Sequence, residues 1–249
     1  MPLFENKHIS GMIHLGSLDS KNLENTFQLA LNDAQNLAAA RVDSLLLENW
    51  NDNININDRH ANMMEIGKRL KMVGLPLGVN VLPNEWRAAF QAAEAVSARF
   101  VELDVFVDEV YPPEKLEPED IQAYRKRAEC RDIEFYPMIH PKHRTMVDRT
   151  KTMLMSARQA KKYGADGVVV TGTLTGIGPD TQKLAKLRKN LGDYHIVIGS
   201  GLTAENAADL LKYADGAIVG TYLKKDGVTD NPVDYDRAVR LMKEVMKMR

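Results

Sequence analysis

The sequence predicts an α/β protein, a (β/α)8 TIM barrel forming a single domain over residues 1–249. Three observations predict it. Short apolar segments and amphipathic ones alternate eight times at intervals of roughly 20 to 35 residues, the rhythm of repeated βα units. The apolar segments are short and largely β-branched, as strands buried on both faces require. Two Gly-rich turns follow the seventh and eighth of them, whereas an open dinucleotide-binding sheet places its glycines after the first strand. The recurrence of Ala165-Asp166-Gly167 and Ala214-Asp215-Gly216 before the sixth and eighth strands supports repeated units.

A chain of 249 residues buries a sizeable core, and no linker-like change in composition divides it. Lys and Arg number 33 against 34 Asp and Glu, so no electrostatic signature of nucleic-acid binding is present. Cys130 is the single cysteine, which excludes an internal disulfide and suits a reducing compartment. No apolar run approaches the roughly 18 residues that span a bilayer, and no signal pattern opens the chain, so a cytoplasmic protein is expected. A homo-oligomer is left open.

In chain order, Ile9–Leu15 is the first strand, with His14 near its far end. Asn22–Arg41 carries apolar residues at spacings of three and four, an amphipathic helix, and Ser44–Asn49 is the second strand. The loop from Trp50 is rich in Asn and Asp, and Asp58 is a candidate start for a helix to Met72. Gly74 and Pro76 stop that helix before the third strand, Leu77–Leu82. Asn84 is expected to cap an alanine-rich helix ending near Ser97, and Phe100–Val105 alternates with period two as the fourth strand. Asp108–Pro118, acidic and with three prolines, reads as an exposed loop before a helix from Ile121 to Arg131.

Ile133–Ile139 is the fifth strand, where Pro137 implies an edge, a bulge or a kink. A basic loop, His140-Pro141-Lys142-His143-Arg144, then precedes a helix over Met146–Tyr163. Gly167–Gly172 is the sixth strand, Thr173–Pro179 a Gly- and Thr-rich loop, and Asp180 the cap of the next helix. The seventh strand opens at His195 and ends in Gly199-Ser200-Gly201, with Thr203 as expected cap of a helix over Ala204–Leu211. Ala217–Val219 is the eighth strand, ending in Gly220-Thr221, and Asp234–Met248 is the closing helix.

Reactive groups of such a barrel belong at the carboxyl ends of its strands. Glu48 and Asp104 are candidate general bases there, and His140 and His14 candidate acids or proton shuttles. Asn49, Asn80, Lys142, Thr171 and Gly172 are candidate substrate contacts. Gly199, Ser200, Gly201, Gly220 and Thr221 bring bare amides and hydroxyls to adjacent strand ends, which suits a phosphate. The bland alternative is that these glycines only make tight turns. His14, Glu48, Asp104 and His140 are acceptable metal ligands, but no HxH or HExxH spacing occurs, so neither a metal nor a cofactor is expected. Lys142 is a weak candidate for a Schiff base, since it sits in a cationic loop rather than at a strand terminus; binding an anionic substrate group is the plainer role.

Several of these segments carry a likeness. Gly11-Met12-Ile13-His14-Leu15, Leu47-Glu48-Asn49, Gly78-Val79-Asn80-Val81-Leu82 with Asn84, Lys142-His143, Thr171-Gly172 with Thr175-Gly176, and Ile198-Gly199-Ser200-Gly201 with Glu205-Asn206 resemble the BtpA/SgcQ family. The closing run, Ala214-Asp215-Gly216, Ile218-Val219-Gly220-Thr221, Lys224, Asp226-Gly227 and Asn231-Pro232-Val233-Asp234, does so too. The resemblance implies a TIM barrel of the ribulose-phosphate-binding type with no firmly established reaction, linked to photosystem I biogenesis or to sugar-utilisation gene clusters. The chain departs from that pattern in a short loop at Gly16-Ser17-Leu18-Asp19, in Met138 where Asp is expected, and in Asp104 where Asn is usual. The expectation is an isomerase or lyase acting on a phosphorylated sugar or phosphoribosyl compound. The rival is a non-catalytic assembly factor that binds a subunit of a membrane complex.

Overall fold

The computed structural model describes residues 2–49, 56–127, 130, 132–173 and 176–249. The loop expected from Trp50 onward, the end of the expected Ile121–Arg131 helix and Thr175 therefore lie wholly or partly outside the described residues. Among the described residues ten strands occur in chain order: β1 (His8–Leu15), β2 (Ser44–Asn49), β3 (Leu77–Asn80), β4 (Phe100–Leu103), β5 (Val110–Tyr111), β6 (Glu134–Ile139), β7 (Thr145–Met146), β8 (Gly167–Val170), β9 (His195–Ile198) and β10 (Gly216–Val219). Eight of them close into a parallel barrel, β1-β2-β3-β4-β6-β8-β9-β10, with β10 returning to β1. β5 and β7 pair antiparallel outside it.

The helices are α1 (Leu23–Ala39), α2 (Ile56–Leu70), α3 (Trp86–Val96), α4 (Pro118–Arg125), α5 (Met153–Lys162), α6 (Thr181–Leu191), α7 (Ala207–Leu211) and α8 (Tyr235–Met246). Their apolar stripes bury against the outward side chains of the strands: Phe27, Ala30, Ala34 and Leu37 of α1 are all buried, as are Ala238, Leu241, Met242 and Val245 of α8. Asp180 and Asp234 cap α6 and α8 through backbone N–H groups of the first turn.

Side chains in one register row of a parallel sheet point to the same face, and the rows fill this barrel in layers. Met12, Leu46, Gly78 and Phe100 form one such row over β1 to β4. Gly78 is required there, because a Cβ would stand 2.2 Å from the Phe100 ring. Phe4 closes the amino-terminal end of the barrel, its ring 5.3 Å from Phe100 and 4.8 Å from Tyr136. The next row up is His14, Glu48, Asn80 and then Glu102, since Val79 is registered with Val101.

Several local expectations are corrected. β6 is flanked on both sides, so Pro137 does not mark an edge; its ladder with β8 is registered only at Met138 and Ile139, and the missing donor falls just before it. Asn84 does not cap α3: its side chain accepts a hydrogen bond from Val105 N at 2.8 Å, tying the loop after β3 to the end of β4. The segment 108–118 is not simply exposed, because Asp108 is fully buried and accepts from Lys151 Nζ at 2.9 Å, Ser156 Oγ at 2.6 Å and His140 N at 2.8 Å. The helix expected from Met146 starts at Met153, because residues 145–146 are spent on β7. α7 starts at Ala207 rather than Ala204, since Thr203 N donates to Asn206 Oδ1 and closes a turn instead of opening a helix.

Candidate active site at the carboxyl ends of the strands

A cleft of about 320 Å³ opens at the carboxyl ends of the barrel strands. Of the residues expected there, it brings together His14, Glu48, Asn80, Asp104 and Lys142 with Gly199, Ser200, Gly201, Gly220 and Thr221. Asn49, His140, Thr171 and Gly172 do not line it. Asn49 is buried and its carboxamide donates to Leu82 O and accepts from Leu82 N, which makes it a clamp on the loop after β3. His140 sits over the Asp108 and Lys151 network, where burial lowers its pKa. Gly172 N donates to Ser200 Oγ, and a Cβ at Gly172 would lie 2.1 Å from Ile177 O, so this glycine serves close loop packing.

One end of the cleft is rich in carboxyl groups. Asn80 Nδ2 lies 3.4 Å from Glu48 Oε1, 3.2 Å from Glu102 Oε2 and 3.2 Å from Asp104 Oδ1. Glu102 lines the cleft although it is not among the residues expected from the sequence. Burial, reinforced by the Asp104 carboxylate, pushes its pKa up to about 8, against the opposing pull of Lys142 and the Asn80 hydrogen bond. The alternation of Phe100–Asp104 already implied that Glu102 and Asp104 share a face, so a signal was present. His14 Nε2 stands 3.7 Å from Glu48 Oε2. Burial, with positive potential from Lys224 and Lys142, holds the imidazole down to about 3, so this contact joins a neutral ring to a carboxyl group and is not an ion pair. A carboxylic acid that keeps its proton near neutrality, beside ionisable partners, is equipped for general acid–base work.

The other end is rich in donors. Gly199 N is committed to Val170 O and Thr203 N to Asn206 Oδ1. By contrast, among the described residues no protein acceptor takes the backbone N–H of Ser200, Gly201, Gly220 or Thr221. Gly201 adopts a φ of +70°, and a Cβ there would lie 2.0 Å from Gly178 N; at Gly220 one would meet His14 Cε1 at 2.9 Å. Arg237, in the first turn of α8, also lines the cleft, and its Nε donates to Tyr222 O at 2.6 Å. Sequence reasoning misses this residue because a lone arginine on an amphipathic helix has the pattern of an ordinary solvated charge. His143, Thr203, Thr229 and Gly227 complete the rim. Among the described residues, no group of three or more His, Cys, Asp or Glu is placed to hold a metal ion, and no helix is long and apolar enough to cross a membrane.

The closed parallel barrel with a polar cleft at its strand ends places the protein among the TIM barrels. The solved structure of (S)-3-O-geranylgeranylglyceryl phosphate synthase from Thermoplasma acidophilum, in complex with its substrate sn-glycerol-1-phosphate, superposes with a TM-score of 0.67 at 16% identity, covering 97% of this chain and 94% of that one. The BtpA family model matches residues 5–247, and the chain belongs to the BtpA family. An uncharacterized protein of Thermococcus kodakarensis is 33% identical over 99% of this chain and 98% of its own length. The photosystem I biogenesis protein BtpA of Synechocystis sp. is 25% identical over 91% of this chain and 83% of its own.

Proposed function

We propose that the protein is an enzyme that binds a small phosphorylated compound, a sugar phosphate or phosphoribosyl compound, and rearranges or cleaves it by acid–base chemistry, as an isomerase or lyase. The observation that carries this reading is the pairing, in one cleft, of unclaimed backbone amides at Ser200, Gly201, Gly220 and Thr221 with the row His14, Glu48, Asn80 and Glu102. Amides that have no acceptor and cluster at adjacent strand ends suit a phosphate, with Arg237 supplying the fixed positive charge. The carboxyl groups suit proton transfer at the opposite end of the ligand: Glu102 in its protonated form as acid, Asp104 or Glu48 as base, and the neutral His14 ring as hydrogen-bond partner. Phosphate recognition by the structural neighbour named above, whose substrate is a glycerol phosphate, is consistent with this assignment.

The test is a thermal-shift screen of phosphosugars and phosphoribosyl compounds. A ligand at roughly a hundred times its dissociation constant stabilises the native state by about 2.7 kcal/mol. Midpoints unmoved by every phosphorylated compound would overturn the reading. A second reading is favoured by the likeness to the photosystem I biogenesis protein: a non-catalytic assembly factor that keeps the barrel and docks on a subunit of a membrane complex. It predicts silence in the ligand screen and co-purification with that subunit.

A further inference from the structure

Hydrogen-bond supply and demand are divided unequally between the two ends of the cleft. At the carboxyl end a single carboxamide nitrogen, Asn80 Nδ2, faces three carboxyl groups at 3.2 to 3.4 Å. Its two hydrogens, with the one proton that Glu102 keeps, cannot satisfy every oxygen of Glu102 and Asp104. Lys142 adds positive potential, yet neither Glu102 nor Asp104 takes a hydrogen bond from it among the described residues. The remaining atom of the same carboxamide, Asn80 Oδ1, is an acceptor that has no partner among the described residues, on a side chain 1% exposed that lines the cleft. Acceptors are therefore in surplus at this end, while the amides of Ser200, Gly201, Gly220 and Thr221 leave donors in surplus at the other.

A ligand lying along the cleft has to invert that polarity, with an anion at one end and donors at the other. Resting on the phosphate reading above, we propose that the ligand carries a protonated amine at the end remote from its phosphate, so that the substrate class is an amino-bearing phosphorylated compound such as an amino sugar phosphate or an amino polyol phosphate. An ammonium group brings three donors, no acceptor and a full positive charge, which answers a site made of the Asp104 carboxylate, the carbonyl oxygen of a Glu102 that keeps its proton, and Asn80 Oδ1. A hydroxyl in the same place brings one donor and an oxygen that itself needs a donor. The acidic row lacks an arrangement suited to a divalent metal among the described residues, which leaves an organic cation as the match.

The experiment is calorimetric titration of the full chain with inorganic phosphate and with matched aminoalkyl and hydroxyalkyl phosphates of two to six carbons. The expected result is phosphate binding in every case, with the best amine at least tenfold tighter than its hydroxyl counterpart. Asp104→Asn and Glu102→Gln, each checked for an unchanged circular dichroism spectrum, should erase that preference and leave inorganic phosphate affinity as it was. If inorganic phosphate binds but amine and hydroxyl compounds bind alike, or the preference survives both substitutions or requires added Mg2+ or Mn2+, the amine assignment is wrong and the phosphate reading stands. If inorganic phosphate itself fails to bind, the phosphate reading fails and this inference falls with it.

Discussion

Lys224 Nζ lies 2.6 Å from Asp33 Oδ2, both side chains buried and 191 residues apart in the chain. The second oxygen of Asp33 accepts from Val233 N at 2.7 Å. One carboxylate on α1 therefore pins both ends of the loop between β10 and α8, the loop that carries Thr221, Gly227 and Thr229 to the cleft.

Removing one member of such a pair strands the other charge in the interior, which costs about 3–5 kcal/mol. Asp33→Ala is expected to lower the unfolding free energy by that amount in urea titration. Asp33→Leu combined with Lys224→Met should recover much of it, because an apolar pair of similar volume carries no desolvation penalty.

Three buried groups set opposing pH slopes. Burial lowers His8 to about 4 and His14 to about 3, from 6.5, so their contribution is complete above pH 6.5 and lost as pH falls toward those values. Glu102, raised from 4.5 to about 8, contributes fully below pH 4.5 and loses its contribution as pH rises toward 8. Between pH 4.5 and 6.5 the two histidines outweigh the one carboxyl; above 6.5 only Glu102 acts. These groups together place maximum stability near pH 6.5, and Glu102→Gln should abolish the decline of about 2 kcal/mol expected between pH 6.5 and 8. Thermal midpoints across that range, wild type against variant, measure it.

Phe4 is fully buried among Phe100, Tyr136 and His8, and Leu3 N donates to the Glu134 carboxylate at 2.9 Å, so the first residues act as the floor of the barrel. Phe4→Ala should cost about 3–5 kcal/mol, the range for truncating a buried aromatic ring, with the cleft at the opposite end unaffected in ligand titrations.

At the donor-rich end, Gly201 is an unsuitable probe. Its positive φ and the adjacent Gly178 backbone mean that any side chain disturbs the fold before it disturbs a ligand. Arg237→Met is the informative change. It should weaken inorganic phosphate binding about tenfold, or 1.4 kcal/mol, while the thermal midpoint without ligand falls only slightly.

The Cys130 thiol is 1% exposed, and burial together with its hydrogen bond to Glu94 pushes its pKa up to about 12. Iodoacetamide should leave it unmodified in native buffer and label it fully in denaturant. Labelling of the folded protein at a rate similar to that of a free thiol would contradict this burial.

The strand rhythm, the Gly-rich turns after the seventh and eighth barrel strands, and the cap at Asp180 were legible in the sequence, because each depends on residues within a few positions of one another. Local pattern misled where a distant group intervened. Asn84 has the composition of a helix cap, but Val105 N claims its carboxamide. His140 follows β6 as a catalytic residue would, but its backbone bond to Asp108 and its φ of +47° turn the loop so that Lys142 and His143 reach the cleft in its place.

By itself the sequence determined that eight strand and helix units repeat and which turns can present bare amides, since periodicity and glycine content act over short range. Only the tertiary structure decided that His14, Glu48, Asn80 and Glu102 stand in one register row facing the same cleft as Arg237. Register between strands is fixed by closure of the barrel and by packing such as Phe100 over Gly78, and burial raises Glu102 only once that row is enclosed.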